Sequence, residues 1–358
     1  MPDALPGKIA DAAERGLRQY ESEAAWVAGA RAMCDPARMR ICLMIEGQES
    51  VTWADWLAIA GACEEHGIEA LFRSDHYLSV EGHADRGSLD AWATLAALAA
   101  VTSELRLGTL VSPATFRHPS QLAKAVATVD HVSGGRVELG VGAGWMEAEH
   151  TAYGFPFPSM GERMAQLEEQ LEVIAGSWAD GPFTYRGALY ELEALDALPK
   201  PVQRPRPNLL VGGRGGPRSI ALAARHADEY NTVFQTVDEI AAIRRQLDAA
   251  CEREGRDPIP LSQMTGVLVG ADRDEVRDRA ARLAQWHEDE GGADAVLAGL
   301  PGSWVVGTLD EAREKLAAFA DAGLERVMLQ HLLHRDLDAI AQIASLGEQV
   351  RVGSPPQA

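Results

Sequence analysis

Gly67-Ile68-Glu69-Ala70-Leu71-Phe72-Arg73-Ser74-Asp75-His76 is the stretch on which the fold turns. Gly67 stops a helix that Thr52 caps at its start, and residues 68–73 form a short apolar run that reads as a buried strand. An Asp-His pair then stands at the strand's carboxyl end, where α/β proteins place their chemistry. Histidine is the side chain whose ordinary pKa lies nearest neutrality, and the adjacent Asp is placed to orient or tune it. Standing alone, such a pair is more often a surface turn with an Asp N-cap, so the rest of the chain must decide.

Outward from that stretch, the pattern repeats. Apolar strands are expected at 40–45, 68–73, 105–110, 136–141, 208–211, 228–234, 263–269 and 326–330. Helical periodicity falls between or after them at 52–66, 88–103, 119–132, 160–178, 217–226, 238–254, 273–286, 309–322 and 336–350. Strict alternation of this kind, with no break in composition, predicts an α/β protein: a single (β/α)8 TIM barrel over residues 39–352. An insertion between the fourth and fifth strands is expected at 143–207. It carries the long helix, a hairpin over 183–190 closed near Arg186-Gly187, and an extended run from Pro199 to Pro207 that holds four prolines. Residues 287–304 are rich in Gly and Ala and read as a loop near the barrel mouth, a natural lid. Residues 1–38 stand apart as an N-terminal helical extension. Ile9, Ala13, Leu17, Tyr20, Ala24 and Val27 recur at helical spacing, as a packing appendage would. Met39 directly precedes the first strand, so the extension is an addition to a complete domain or reflects a translation start set too early. Residues 353–358 read as a disordered tail.

The totals narrow the function. With 33 basic and 53 acidic residues the net charge is −20, which argues against nucleic acid and anionic membranes as partners. Cys34, Cys42, Cys63 and Cys251 are scattered without metal-ligand spacing, as reduced thiols of a cytoplasmic protein would be, and no metal is expected. The start of the chain is acidic throughout and lacks a long apolar run, so no signal peptide is evident.

Further clusters fall at expected strand ends. Gly142-Ala143-Gly144-Trp145 offers small residues that let a ligand approach the backbone, though such glycines more often mark a tight turn. Gly212-Gly213-Arg214-Gly215-Gly216-Pro217 joins a strand to a helix with Pro217 at the first helical position. Backbone N–H groups at such a helix start favour an anion such as phosphate, and Arg214 and Arg218 add positive charge. Thr109 and Ser112 present hydroxyls after the third strand, while Arg117 and His118 read as caps or ion-pair partners.

The segments SDHY (74–77), LRLGTLVSPATFRHP (105–119), VDHVSGGRVELGVGAGWMEAEHTAYGFPFP (129–158) and LPKPVQRPRPNLLVGG (198–213) together resemble the luciferase-like monooxygenase family. Within it the chain resembles the oxidoreductases that depend on the deazaflavin coenzyme F420, and VGTLDEAREKLAAFADAGLERVMLQ (306–330) fits that branch too. The likeness runs in order over residues 40–350.

The resemblance implies a cofactor ring at the carboxyl mouth of the barrel. It makes His76 the proton donor or an oriented polar group, and Asp75 a cofactor contact that also holds the imidazole. Thr109-Leu110 matches a bulge, often a non-prolyl cis peptide, that supports the ring; Ser112 matches a cofactor-contacting hydroxyl. Ala143 and Gly144 match backbone beside the ring, and Gly212, Gly213, Gly215 and Gly216 match the loop around its phosphate. One departure stands out: sugar-phosphate dehydrogenases of this branch carry a catalytic Glu where this chain has Trp145, which argues against sugar-phosphate oxidation. The Trp suggests a flatter apolar substrate bed, or else a core residue. The expected reaction is hydride transfer between F420 and a small-molecule substrate. FMN with a partner reductase, serving a monooxygenase, is the alternative, and a non-catalytic flavin-binding protein is a third reading. Glu46, Trp53, Trp145, Asn231, Thr265 and Gln330 are candidate substrate-lining residues, each as readily explained by packing. A homodimer is expected because the family often forms one.

Overall fold

Strand β1 (Arg40–Ile45) opens the barrel, and the computed structural model describes residues 38–287, 290–347 and 350. The chain continues through α1 (Trp53–Glu65), β2 (Ala70–Arg73), α2 (Ala91–Val101), β3 (Arg106–Thr109), β4 (Ser112–Pro113), α3 (Pro119–Ser133) and β5 (Val137–Gly142). Next come α4 (Glu147–Tyr153), α5 (Met160–Trp178), β6 (Phe183–Arg186), β7 (Glu191–Leu195), β8 (Asn208–Gly212), α6 (Pro217–His226), β9 (Glu229–Val233) and α7 (Val237–Arg253). The last elements are β10 (Leu261–Gly270), α8 (Arg273–Trp286), α9 (Gly292–Gly299), β11 (Val305–Thr308), α10 (Leu309–Asp321), β12 (Arg326–Gln330) and α11 (Leu337–Leu346).

Eight of these strands, β1, β2, β3, β5, β8, β9, β10 and β12, pair in parallel around a closed ring, with β12 returning to β1. The expected (β/α)8 barrel is therefore present, and β6 and β7 form the hairpin of the insertion between its fourth and fifth strands. Local chemistry sets many of the boundaries. Thr52 and Asp55 form a capping box at α1, Thr308 and Glu311 do the same at α10, and His118 caps α3 ahead of Pro119. Gly134 ends α3 in the left-handed conformation at φ 66°.

Three sequence expectations need correction. The hairpin's second strand is Glu191–Leu195, so its turn lies over 187–190 rather than at Arg186-Gly187. Its faces alternate between half-buried and exposed, which weakens the hydrophobic signal that marks a strand. Residues 287–304 are not a plain loop but contain α9, whose Val296 packs with Leu268, Leu283 and Ala284. The short α4 lacks the length to show periodicity in sequence and was not expected. The N-terminal extension, apart from Arg38, and the tail at 353–358 lie outside the described residues. No helix among the described residues is long and apolar enough to cross a membrane.

Strand alternation divides the interior into layers. Outward-facing residues such as Leu43, Leu71, Leu107, Leu139, Leu209 and Val327 join the helices in the main core. Cys42, Met44, Ala70, Phe72, Leu110, Leu210 and Met328 fill the barrel itself. Beneath them, at the amino-terminal end of the strands, lies an ionic floor. The Arg326 guanidinium is fully buried and bonds Glu138 at 2.8 and 3.0 Å and Glu229 at 3.1 Å. Arg106 adds a 2.6 Å bond to the same Glu138, and Arg40 pairs with Glu69. Burial disfavours charge on Glu138, but the surrounding arginines hold its carboxyl well below the usual range. Removing one partner from such a set leaves buried charges uncompensated. Arg326→Met is therefore expected to destabilise the fold by about 3–5 kcal/mol in urea unfolding followed by circular dichroism.

Candidate active site

The carboxyl ends of the strands form the opposite face, and the β2 end supplies its central residues. Ser74 is anchored first. Its hydroxyl accepts from the Gly47 N–H at 2.9 Å and donates to Gln48, tying the β1 and β2 loops together. Arg73 turns outward between α1 and α2, bonding Leu89 O at 2.9 Å and lying over the Trp56 ring. Burial, which outweighs the nearby Asp75, Asp90 and Glu46 carboxylates, lowers its pKa to about 10.

Asp75 and His76 do not serve one another. Asp75 is buried and receives a two-pronged ion pair from Arg117, one arm of it at 3.1 Å, together with the Ser112 hydroxyl at 2.6 Å. Ser112 in turn accepts from the Trp92 indole N–H at 3.0 Å. The expectation that Asp75 holds the imidazole is therefore corrected: its oxygens are drawn across to the β3 loop by a cation that sequence spacing left as a cap or ion-pair partner. The Ser112 hydroxyl is likewise committed within the protein. His118, the neighbour of Arg117, is the cap.

The residue that holds His76 is Glu149, in the first turn of α4. Its buried carboxylate lies 3.1 and 3.3 Å from His76 Nδ1 and also accepts from the Tyr77 and Leu78 N–H groups. Nothing in the sequence marks Glu149 above Glu147, because α4 is too short to reveal which acidic side chain turns inward. The carboxylate fixes a proton on Nδ1 and leaves Nε2 without a partner among the described residues. Burial works against the charged imidazole, but the hydrogen bond and charge of Glu149, assisted by Glu46 and Asp75, outweigh it and raise the His76 pKa. Burial also opposes charge on Glu149, and the same bond to His76 holds its carboxyl below the usual range.

A flat bed is built at the end of β3. The peptide Leu110–Val111 is cis, one bond later than the Thr109-Leu110 position expected. Thr109 faces away from the mouth, its hydroxyl bonded to Gly140 O at 3.0 Å. Val111 lies over glycines of two neighbouring strands: a Cβ on Gly140, Gly142 or Gly212 would come within 2.8–3.0 Å of its methyl groups. Only hydrogen at these α-carbons lets Val111 settle so low. Gly144 is at φ 79° with Thr115 Oγ1 where a Cβ would lie at 3.0 Å, and Ala143 packs against the main core. Trp145 is not a core residue: its ring is 63% exposed and meets His76 edge-on at 5.5 Å between centroids.

The glycine loop after β8 follows its expected course into α6 with Gly216 as N-cap and no capping side chain. Two of its N–H groups are already used: Gly213 donates to Asn231 O and Gly215 to the Tyr230 hydroxyl, both at 2.9 Å. An anion would thus meet the open first turn of α6 beside Arg214 rather than those two glycines. Among the substrate-lining candidates, Glu46 and Gln330 bond to each other at the mouth. Trp53 stands half exposed at the start of α1. Asn231 is buried deeper, its amide committed to Ser262 at 2.9 Å, and Thr265 bonds Ser303 O at 3.0 Å; neither joins the mouth.

A family model described as luciferase-like monooxygenase matches residues 38–326. An uncharacterized protein of Mycobacterium tuberculosis is 34% identical over 261 residues, 68% of this chain and 86% of that protein. An F420-dependent glucose-6-phosphate dehydrogenase of Nakamurella multipartita is 30% identical over 317 residues, 82% of this chain and 90% of that enzyme. An FMNH(2)-dependent dimethylsulfone monooxygenase of Pseudomonas putida is 33% identical over 146 residues, 41% of this chain and 40% of that enzyme.

The His76–Glu149 pair makes a direct prediction. Glu149→Gln removes the charge that opposes burial, so the His76 pKa falls below its wild-type value, read from the imidazole proton shifts by NMR. Because the folded-state pKa is raised, the pair's contribution to stability is full below the ordinary imidazole pKa. It is lost as pH rises through the raised value.

Proposed function

Since the chain belongs to the luciferase-like monooxygenase family, we propose that it is an oxidoreductase that takes the deazaflavin coenzyme F420 as its hydride carrier and acts on a small organic substrate. The observation that carries the reading is the imidazole of His76 at the strand end, held at Nδ1 by Glu149, with Nε2 without a partner among the described residues. A group that stores a proton next to a hydride-transfer site is what reduction or oxidation at a polar double bond requires.

The residues present fit a planar ring system. Val111 over Gly140, Gly142 and Gly212 offers a bed that any larger residue at those glycines would lift. The open first turn of α6, with Arg214 nearby, suits the cofactor's phosphate. Bound there, F420 supplies or accepts the hydride. In the reducing direction His76 gives the Nε2 proton to the acceptor atom, and Glu149 keeps the remaining proton on Nδ1. Arg117 neutralises Asp75, so the β2 and β3 loops stay joined without adding free negative charge beside the ring. Trp145 flanks His76 edge-on at one side of the mouth. Trp145, where sugar-phosphate dehydrogenases of the branch carry a Glu, argues against a sugar phosphate as the substrate.

FMN is the competing cofactor, favoured by the likeness to the dimethylsulfone monooxygenase. Fluorescence titration of the purified protein with F420 and with FMN separates the two, and tight FMN binding without F420 binding overturns the proposal. His76→Ala is expected to lower turnover about 10²-fold while F420 affinity is largely kept. Steady-state kinetics beside the same titration checks both halves.

A further inference from the structure

Around the mouth, the buried carboxylates have cations. Asp75 has Arg117, Glu49 has Arg86 at 2.9 Å, and Glu149 has His76. Glu46 is different. Along β1, Arg40 faces the floor and Cys42 and Met44 fill the barrel interior, so the next position in the alternation turns Glu46 inward at the mouth. Gln330 follows Met328 in the same way on β12, the neighbouring strand. Glu46 is 9% exposed. One of its oxygens accepts from Gln48 Nε2 at 2.8 Å and the other from Gln330 Nε2. Both partners are neutral amides: they aim the carboxylate without cancelling its charge. Among the described residues no cation pairs with it. The guanidinium of Arg73 lies behind Gly47 and bonds Ser88 and Leu89, so it acts on Glu46 at longer range and makes no ion pair with it. A largely buried, oriented carboxylate with no cation in ion-pair contact leaves room for one, since its nearest positive groups, His76 and Arg73, act on it only from a distance.

From this geometry we infer that the substrate carries a positive charge and that Glu46 selects it. The inference rests on the reading of the barrel mouth as the substrate site, and it names the class: a planar organic cation whose positive charge lies apart from the polar double bond that exchanges the hydride. Two further features fit that class. The Trp145 ring beside His76 is 63% exposed and offers an indole face, the strongest aromatic partner for a cation. The chain's net charge of −20 draws cations toward its surface and repels anionic competitors. Glu46 also lies close enough to favour the charged form of His76. A cationic substrate entering between them takes over that charge and so favours transfer of the His76 Nε2 proton to the substrate atom that accepts it as the hydride arrives.

The test is binding by isothermal titration calorimetry, with no cofactor present, of N-methylquinolinium and of quinoline, which is uncharged at pH 8. The cation is expected to bind about tenfold or more tightly than quinoline, and Glu46→Gln to bring it down to the quinoline level. The variant is expected to keep the wild-type melting temperature, because the Gln330 amide can turn over to present its oxygen to the new amide group. Equal binding of the two probes to the wild-type protein overturns the inference, as does no binding of the cation, or unchanged cation affinity in Glu46→Gln. The wild-type comparison stands alone if the variant does not fold. Failure here leaves the F420 titration untouched, and failure of that titration leaves this comparison intact.

Discussion

The buried guanidinium of Arg326 holds the amino-terminal end of the barrel together. It reaches Glu138 on β5 and Glu229 on β9 from β12, spanning strands that are not neighbours. A closed ring of short parallel strands has to fill its own interior, and here the lowest layer is filled by charge rather than by methyl groups. The arrangement is stable only as a set, because each carboxylate relies on a cation that the others also share. With the floor plugged, the layer above can be purely apolar: Phe72 fills the space that Gly108 leaves open, and Met44, Leu110 and Met328 complete the middle. Polar side chains are then free to gather at the opposite rim.

At that rim the same physics is used for a different end. Asp75 with Arg117 joins the loops after β2 and β3, and His76 with Glu149 joins those after β2 and β5. The first pair links neighbouring βα loops and the second reaches past β3, so the loops at this rim are held by charge and not by packing alone. The pairs differ in consequence. Arg117 is a strong cation that keeps Asp75 silent, whereas His76 is titratable and can pass a proton on. Glu46, held by amides only, is the remaining charge on the rim.

Much of this was legible in the chain. The eight strands, the insertion after the fourth and the glycine loop into α6 follow from apolar runs, caps and glycine placement, all of which are local. The strand-end position of Ser74, Asp75 and His76 was legible for the same reason. The role of Asp75 was not. Adjacent residues at a strand end point in different directions, so sequence neighbours need not be partners, and Asp75 found Arg117 while His76 found Glu149. Trp145 was ambiguous because an indole after a glycine suits a core as well as a cleft. Helix α9 was missed because its alanines and glycines lack a clear apolar stripe.

The sequence by itself determined the barrel, its strand order and the strand-end placement of Asp75 and His76, because periodicity and capping act over a few residues. Only the tertiary structure decided which carboxylate meets which cation, that Val111 lies on three glycines, and that Glu46 is left with neutral partners. Those outcomes depend on distances between loops far apart in the chain, and such distances exist only once the ring of strands has closed.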